Sequence, residues 1–355
     1  MPQTRGPAVL VLALVLAGCG GAAAAPASTP AATKAATALG TLEEQAFIPV
    51  TESWEILSAF DSIWVSGFIG TNDNGTLTRI DPKTNTVVAS LKVSDTTDGI
   101  AATDTAIWIV DGNARAVREI DPATNDFTGR SWPINDEGGD LVYANGSLWH
   151  FGWDAVERIN PTSGGTTVGG LLGGTGGSGA FAITGDAIYK LKDGTLSRFD
   201  LAGTKVEATN TTDVVGGILA VGPAGVLAPS STGGVAILDP STLALVKSIG
   251  SEPAVGADGG RWSLGNAPVP SGQTASGAIV ADAAGAWIRF SPSVIGRVDP
   301  VAGTISLFGP LPSESSGPSP IAVAGGSLWV TNEGLGSGGA DGGKPGVIRV
   351  ALPTP

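Results

Sequence analysis

The chain has 355 residues, with 54 Gly, 24 Pro, only 14% charged residues and a formal net charge of −13. Gly and Pro together make up about 22%, below the ~25–30% that marks low-complexity disorder, and 42% hydrophobic residues supply a core, so disorder is excluded for most of the chain. A sequence pI of 4.4 excludes the basic footprint of a nucleic-acid binder, and few charges with many glycines point to a turn-rich all-β protein.

The N-terminus reads as an address. Arg5 is a short basic region and Ala8–Leu16 an apolar run, too short to span ~30 Å of hydrocarbon, which is the shape of a secretory signal. The run ends in Leu16-Ala17-Gly18-Cys19, which resembles a bacterial lipobox, and Cys19 is the only cysteine. A lone cysteine in a secreted chain needs an explanation. The lipobox resemblance implies that Cys19 is acylated and becomes the new N-terminus; a plain signal peptide with an incidental cysteine is the other reading. The expected divisions are a signal peptide at 1–18, the lipidated Cys19 with a flexible Ala/Pro/Gly tether over 19–43, and a folded domain over 44–355. Losing Arg5 with the signal leaves 18 basic against 32 acidic residues, a charge of −14. The expected location is across the bacterial cytoplasmic membrane, with the lipid on its outer side or in the outer membrane. No later segment is long and apolar enough for a membrane helix.

The domain is built from repeats. Ile63-Trp64, Ile107-Trp108, Leu148-Trp149, Ile188-Tyr189, Ala286-Trp287 and Leu328-Trp329 recur in matching contexts, with Val226-Leu227 as a degenerate seventh. The spacings are 44, 41, 40, 38, 60 and 42 residues. Eight residues before each anchor stand Ile56, Ile100, Leu141, Phe181, Leu219, Ile279 and Ile321, all large and apolar. After the anchors come Arg79-Ile80-Asp81-Pro82, Ile120-Asp121-Pro122, Arg158-Ile159-Asn160-Pro161, Arg198-Phe199-Asp200, Leu238-Asp239-Pro240, Arg297-Val298-Asp299-Pro300 and Arg349-Val350. Asx-Pro is turn chemistry: the Asx side chain accepts from nearby N–H groups and Pro pre-sets φ.

In the second unit, strands are expected at Ile100–Thr103, Ile107–Val110, Ala116–Ile120 and Asp126–Pro133. Four short antiparallel strands per ~40 residues make a β-propeller blade. The last unit lacks a fourth strand, and Ala46–Thr51 ahead of the first can fill that vacancy. The expectation is therefore a seven-bladed propeller, its ring closed by an N-terminal strand.

The apolar-Trp-Val pattern in Ser62-Ile63-Trp64-Val65 and Leu328-Trp329-Val330-Thr331-Asn332, with the Asp-Pro turns, resembles the YVTN-type and streptogramin (virginiamycin B) lyase-like seven-bladed propellers of bacteria, over roughly residues 46–352. The resemblance implies fold more than activity. The lyases of that group use a histidine and a glutamate near magnesium at the channel mouth. The one histidine here, His150, follows Trp149 with no His-x-Glu pattern beside it, and a packed strand residue is the expectation for it.

Loop lengths single out one face. Gly67–Thr76, Asn332–Pro345 and Ser251–Thr274 are long, belong to blades 1, 7 and 6, and share the top face. Binding residues gather on loops held by a rigid scaffold, so a top-face patch is expected over these blades, with Asn72, Asp73, Arg261, Trp262, Asn332 and Glu333 as candidates and Trp153 beside them. Tolerated drift in Gly-rich insertions is the alternative. Glu55, Asp98 and Asp140 fall in register where the first three blades begin, so they either hold a cation such as Ca²⁺ or Mg²⁺ at the channel mouth or are solvated acids. The leading functional expectation is a non-catalytic binding or scaffold module whose partner is an envelope or extracellular protein or glycan. A metal-dependent streptogramin-lyase-like enzyme and a glycan or small-ligand sensor are the alternatives.

Overall fold

The computed structural model describes residues 39–51, 53–67, 75–93, 99–152, 156–168, 180–215, 218–231, 234–250, 254–255, 261–262, 279–282, 285–289, 294–311, 320–332 and 345–353. Seven four-stranded antiparallel sheets make up a seven-bladed β-propeller. In blades 1 to 6 each strand pairs with the next in the chain, from the channel outward. Blade 2 consists of Ile100–Ala102, Ile107–Asp111, Ala116–Asp121 and Asp126–Pro133, within a residue of expectation at each end.

Blade 7 is completed by the N-terminal strand. Glu44–Pro49 lies antiparallel to Gly346–Ala351, with Ile48 opposite Val347 and Pro49 opposite Gly346. It starts two residues before the expected Ala46 because Glu44 still finds Val350 across from it, and it stops before Val50 because its partner begins at Gly346. The sixty-residue interval contains a small hairpin, Ala254–Val255 against Arg261–Trp262. Arg261 and Trp262, expected on a loop, are strand residues.

The second strands of blades 1, 2, 3, 5, 6 and 7 are buried along their whole length. Strands covered on both faces leave little room for charge, with Asp111 and Arg289 at their ends as exceptions, and this contributes to the charge-poor composition. The anchors fill the seams between blades. Trp64 packs with Ile100, Ile107, Ile109 and Ile120 of blade 2, Tyr189 with Val226 and Leu238 of blade 5, and Trp287 with Leu328, Val330 and Ile348 of blade 7. Trp329 closes the circle against Ile56, Ile63 and Ile80 of blade 1. Trp108 and Trp149 are buried in the same way.

The Asx-Pro turns are grips as well as turns. The Asx carboxylate or amide accepts from the amide two residues on, as Asp81 does from Lys83 at 2.7 Å, Asn160 from Thr162 at 2.8 Å and Asp239 from Ser241 at 2.9 Å. The prolyl carbonyl has no partner inside such a turn, so it is free to accept from outside. In every case the preceding blade supplies the donor. Arg349 reaches Pro82 at 2.6 Å, Arg79 reaches Pro122 at 2.5 Å, Trp132 Nε1 reaches Pro161 at 3.3 Å, Tyr189 Oη reaches Pro240 at 2.8 Å and Lys247 Nζ reaches Pro300 at 3.2 Å. Arg79 and Arg349 also donate to Asn125 and Asn85 at 2.9 and 2.8 Å. Those asparagines sit at φ 59° and 57°, the left-handed region that Asn tolerates. Blade 4 has Leu201 in place of Pro, and Asp200 there accepts from the Thr204 and Lys205 amides instead. Four chemically different donors thus do one job around the ring.

These turns also contribute to the response to acid. Backbone N–H groups of Lys83, Lys205 and Thr242 hold the carboxyls of Asp81, Asp200 and Asp239 below the ordinary carboxylate range. A depressed folded-state pKa means the stabilisation is complete at neutral pH and disappears as pH falls through that range. Thermal midpoints followed by circular dichroism are therefore expected to stay level down to about pH 4 and to fall below it. Replacing the three by Asn, which blade 3 already uses at Asn160, should flatten that fall. An unchanged acid profile in the triple variant would assign the loss to other carboxylates.

Candidate functional site at the top of blades 6, 7 and 1

Inner strands run from the top face to the bottom and second strands return, so residues just past an anchor lie toward the top. Two residues past each anchor the side chain shares the anchor's face and so belongs to the seam with the next blade. Those positions are Ser66, Val110, Phe151, Leu191, Pro229, Arg289 and Thr331. Four successive seams are apolar there, with Phe151 stacked on Phe181 at 4.2 Å. The other three, also successive, are polar and buried: Arg289, Thr331 and Ser66, of blades 6, 7 and 1.

The polar seams are cross-linked. Arg289 Nη1 donates to the Thr331 carbonyl at 3.2 Å, and Thr331 Oγ1 donates to the Pro320 carbonyl at 3.0 Å. Ser53, on the way into blade 1, donates to the Gly346 carbonyl at 2.9 Å and accepts from the Asn332 amide at 3.1 Å. Ser66 Oγ is buried without a hydrogen-bond partner. Such a group costs about 1–3 kcal/mol, a cost the four apolar side chains at this position do not carry. On the outer side of the blade 7/1 boundary lies a groove of about 500 Å³, lined by Pro49, Val50, Thr51, Thr78, Val87, Ser90 and Pro345, with no charged residue among them.

These seams lie on the blades singled out by loop length, but the loop side chains expected to act there are placed only in part. Cys19, Asn72, Asp73, Asp98, Trp153 and Glu333 lie outside the described residues. Asn332 is not on a loop: it ends the second strand of blade 7 opposite Gly346 and is fully buried. Of the three carboxylates, Glu55 begins the inner strand of blade 1, half-buried, and Asp140 begins that of blade 3, buried. Among the described residues no three His, Cys, Asp or Glu side chains come together as a metal site. Also among them, no helix is long and apolar enough to cross a membrane.

His150 departs from expectation in one respect. It is a packed strand residue with no exposure, but it does have a glutamate partner: Glu157, directly across the strand pair, with Nδ1 3.0 Å from Oε2. Both ring nitrogens are engaged, so in this arrangement the ring has no route to a ligand in the channel.

No protein-family profile matches the chain, and no curated protein does. Solved structures do match, at low identity. The β-propeller domain of Cps50 (Swd1) from Myceliophteria thermophila superposes with a TM-score of 0.62 at 12% identity, covering 88% of this chain and 100% of that one. The computationally designed protein Ika8 gives 0.58 at 11%, covering 87% and 100%. BamB from Moraxella catarrhalis gives 0.51 at 12%, covering 88% and 98%. These likenesses establish the propeller fold alone.

Proposed function

We propose that this protein is an extracytoplasmic, lipid-anchored β-propeller acting as a non-catalytic binding or scaffold module through the top face of blades 6, 7 and 1. The observation that carries the reading is the run of three buried polar seam tops under the blades with the longest loops. Binding residues gather on loops that a rigid scaffold positions. The partner class is an envelope or extracellular protein or glycan, and the lipid on Cys19 holds the module at the membrane.

The test compares capture from solubilised envelope by the full chain, a variant with the loops over 68–74 and 333–344 replaced by short Gly-Ser links, and a bottom-turn control, Asp104→Lys. Loop replacement is expected to lower recovery of the captured species at least tenfold, and the control to leave it unchanged. Equal recovery from all three would remove the top face from the reading. Cys19→Ser should independently move the protein from the membrane to the soluble fraction.

A further inference from the structure

The single histidine closes a buried clasp at the top of the blade 2/3 seam. His150 and Glu157 are 0% and 1% exposed and face each other across the second and third strands of blade 3. His150 Nε2 lies 2.9 Å from the Gly138 carbonyl. Asn135 donates its backbone N–H to Glu157 Oε2 at 3.1 Å and its side-chain amide to Oε1 at 2.6 Å. Asn135 and Gly138 both belong to the connection that carries the chain from blade 2 into blade 3. The pair therefore ties that connection to the body of blade 3 at two points.

Counting protons shows what the clasp needs. A carbonyl only accepts, so Nε2 must carry a hydrogen. Nδ1 faces a carboxylate oxygen, so one further proton must lie between them, on either atom. The intact clasp thus holds one proton more than a neutral imidazole beside a carboxylate. Without it, the one imidazole hydrogen can serve either Glu157 at 3.0 Å or Gly138 at 2.9 Å, lone pairs confront each other at the other contact, and an uncompensated negative charge sits in a buried place, which is costly.

The groups around the pair offer no substitute for that proton. Opposite His150 on the inner strand is apolar Leu141. The connection carries Asp136 and Glu137, and Arg115 of blade 2 is committed to Glu137. Asp140 begins the inner strand. Arg158, next to Glu157, turns to the other face, over Trp149 and onto Ser147. The seam also lacks the usual arginine. Blades 1, 3, 4, 6 and 7 set an Arg opposite the anchor, whereas Glu119 stands opposite Trp108. Glu119 is bound to Thr128 and Arg130 of its own blade, and Trp108 Nε1 has no partner.

We propose that His150 and Glu157 form a proton-controlled clasp on residues 135–138. The shared proton holds the connection against blade 3, and its loss as pH rises releases the connection at the top of the seam. The test is an NMR titration of the full chain from about pH 5 to about 9. With one histidine, the imidazole nitrogens need no assignment. Loss of the shared proton is expected to coincide with a tenfold or larger rise in the exchange rate of the Asn135 amide, corrected for intrinsic base catalysis. The Asn85 amide, bonded to Asp81 O at 2.9 Å in blade 1, should not follow it.

In Glu157→Gln an N–H aimed at Nδ1 takes the place of Oε2, the acceptor of the Asn135 backbone N–H, and the remaining oxygen serves only the Asn135 side chain, so the Asn135 amide should exchange fast at every pH, with no step where the imidazole titrates. An Asn135 amide whose protection ignores the imidazole signal in the natural chain overturns the proposal, whether or not the variant folds. So does a Glu157→Gln chain that keeps the natural pH dependence.

Discussion

A chain that begins at Ser53 is expected to lose cooperative unfolding. The segment it lacks is the fourth strand of blade 7, and its contribution extends beyond the strand's own ladder. Ile48 and Val50 are buried in the core shared by Trp329, Ile56 and Ile63, on the seam that joins the last blade to the first. Leu42 packs one seam earlier, against Trp287, Phe308 and Leu311. Gly40 adds backbone bonds to Leu307, on the outer strand of blade 6, and to Gly309 just past its end. Three buried aliphatic side chains at about 1.5–3 kcal/mol each already account for a large part of the ~5–15 kcal/mol by which a domain is stable. Truncation would also bare Gly346–Ala351 as an apolar edge strand, a template for association with other copies. Size-exclusion chromatography should show aggregates, and circular dichroism a broad transition or none. A synthetic peptide covering residues 39–52 should restore the monomer when added in excess. A truncated chain that stays monomeric and melts sharply within a few degrees of the parent would show that six blades and three strands suffice.

The strand plan was legible because every blade solves the same burial problem in the same register. An aromatic anchor with a large apolar residue eight positions earlier reports a second strand covered on both faces and an inner strand beside it. The vacancy in blade 7 was legible for the same reason, since a missing fourth strand is conspicuous against six complete units. The grips were not. Arg79 reads locally as part of Arg-Ile-Asp-Pro, but its carbonyl partner is Pro122 in the next unit, and a motif read along one repeat cannot show a bond between two. Trp132 and Lys247 make the same bond from outer strands, so no shared residue type marks it. Glu157 escaped notice as the partner of His150 because cross-strand register depends on where the third strand begins. The polar seam tops were readable two residues past each anchor, yet only burial gives Arg289, Thr331 and Ser66 their meaning. Loop length pointed to the face, and side-chain roles on that face do not follow from length.

Trp329→Ala should be the most damaging single substitution, and its partner Arg349 gives the means to apportion the loss. Trp329 is fully buried at the closing seam, and its Nε1 donates to the Ala324 carbonyl at 3.2 Å. Arg349 stacks over the indole with its guanidinium carbon 5.1 Å from the ring centroid. Its Nε donates to Ser327 at 2.9 Å, on the indole's own strand, and its Nη1 crosses the seam to Pro82 and Asn85. Removing a buried Trp costs about 3–5 kcal/mol. Arg349→Met keeps much of the apolar stem but removes the crossing bonds, and hydrogen bonds to a charged group contribute about 1.5–3 kcal/mol. If the indole orients the guanidinium, the two losses overlap. The double variant should then fall short of the sum of the singles by about 0.5–3 kcal/mol, the range for residues in contact. Urea midpoints at constant m-value measure all three. The same cycle on Trp64 and Arg79, which repeats the geometry at 5.1 Å and crosses to Pro122 and Asn125, should give a similar coupling but a smaller total loss. Continuous chain crosses both seams, but at Trp329 that chain comes from the N-terminal strand, whose hold on blade 7 is the non-covalent ladder to Gly346–Ala351, so a loss there also loosens the closure of the ring. Equal totals at the two seams would mean that closure adds nothing to an ordinary blade boundary.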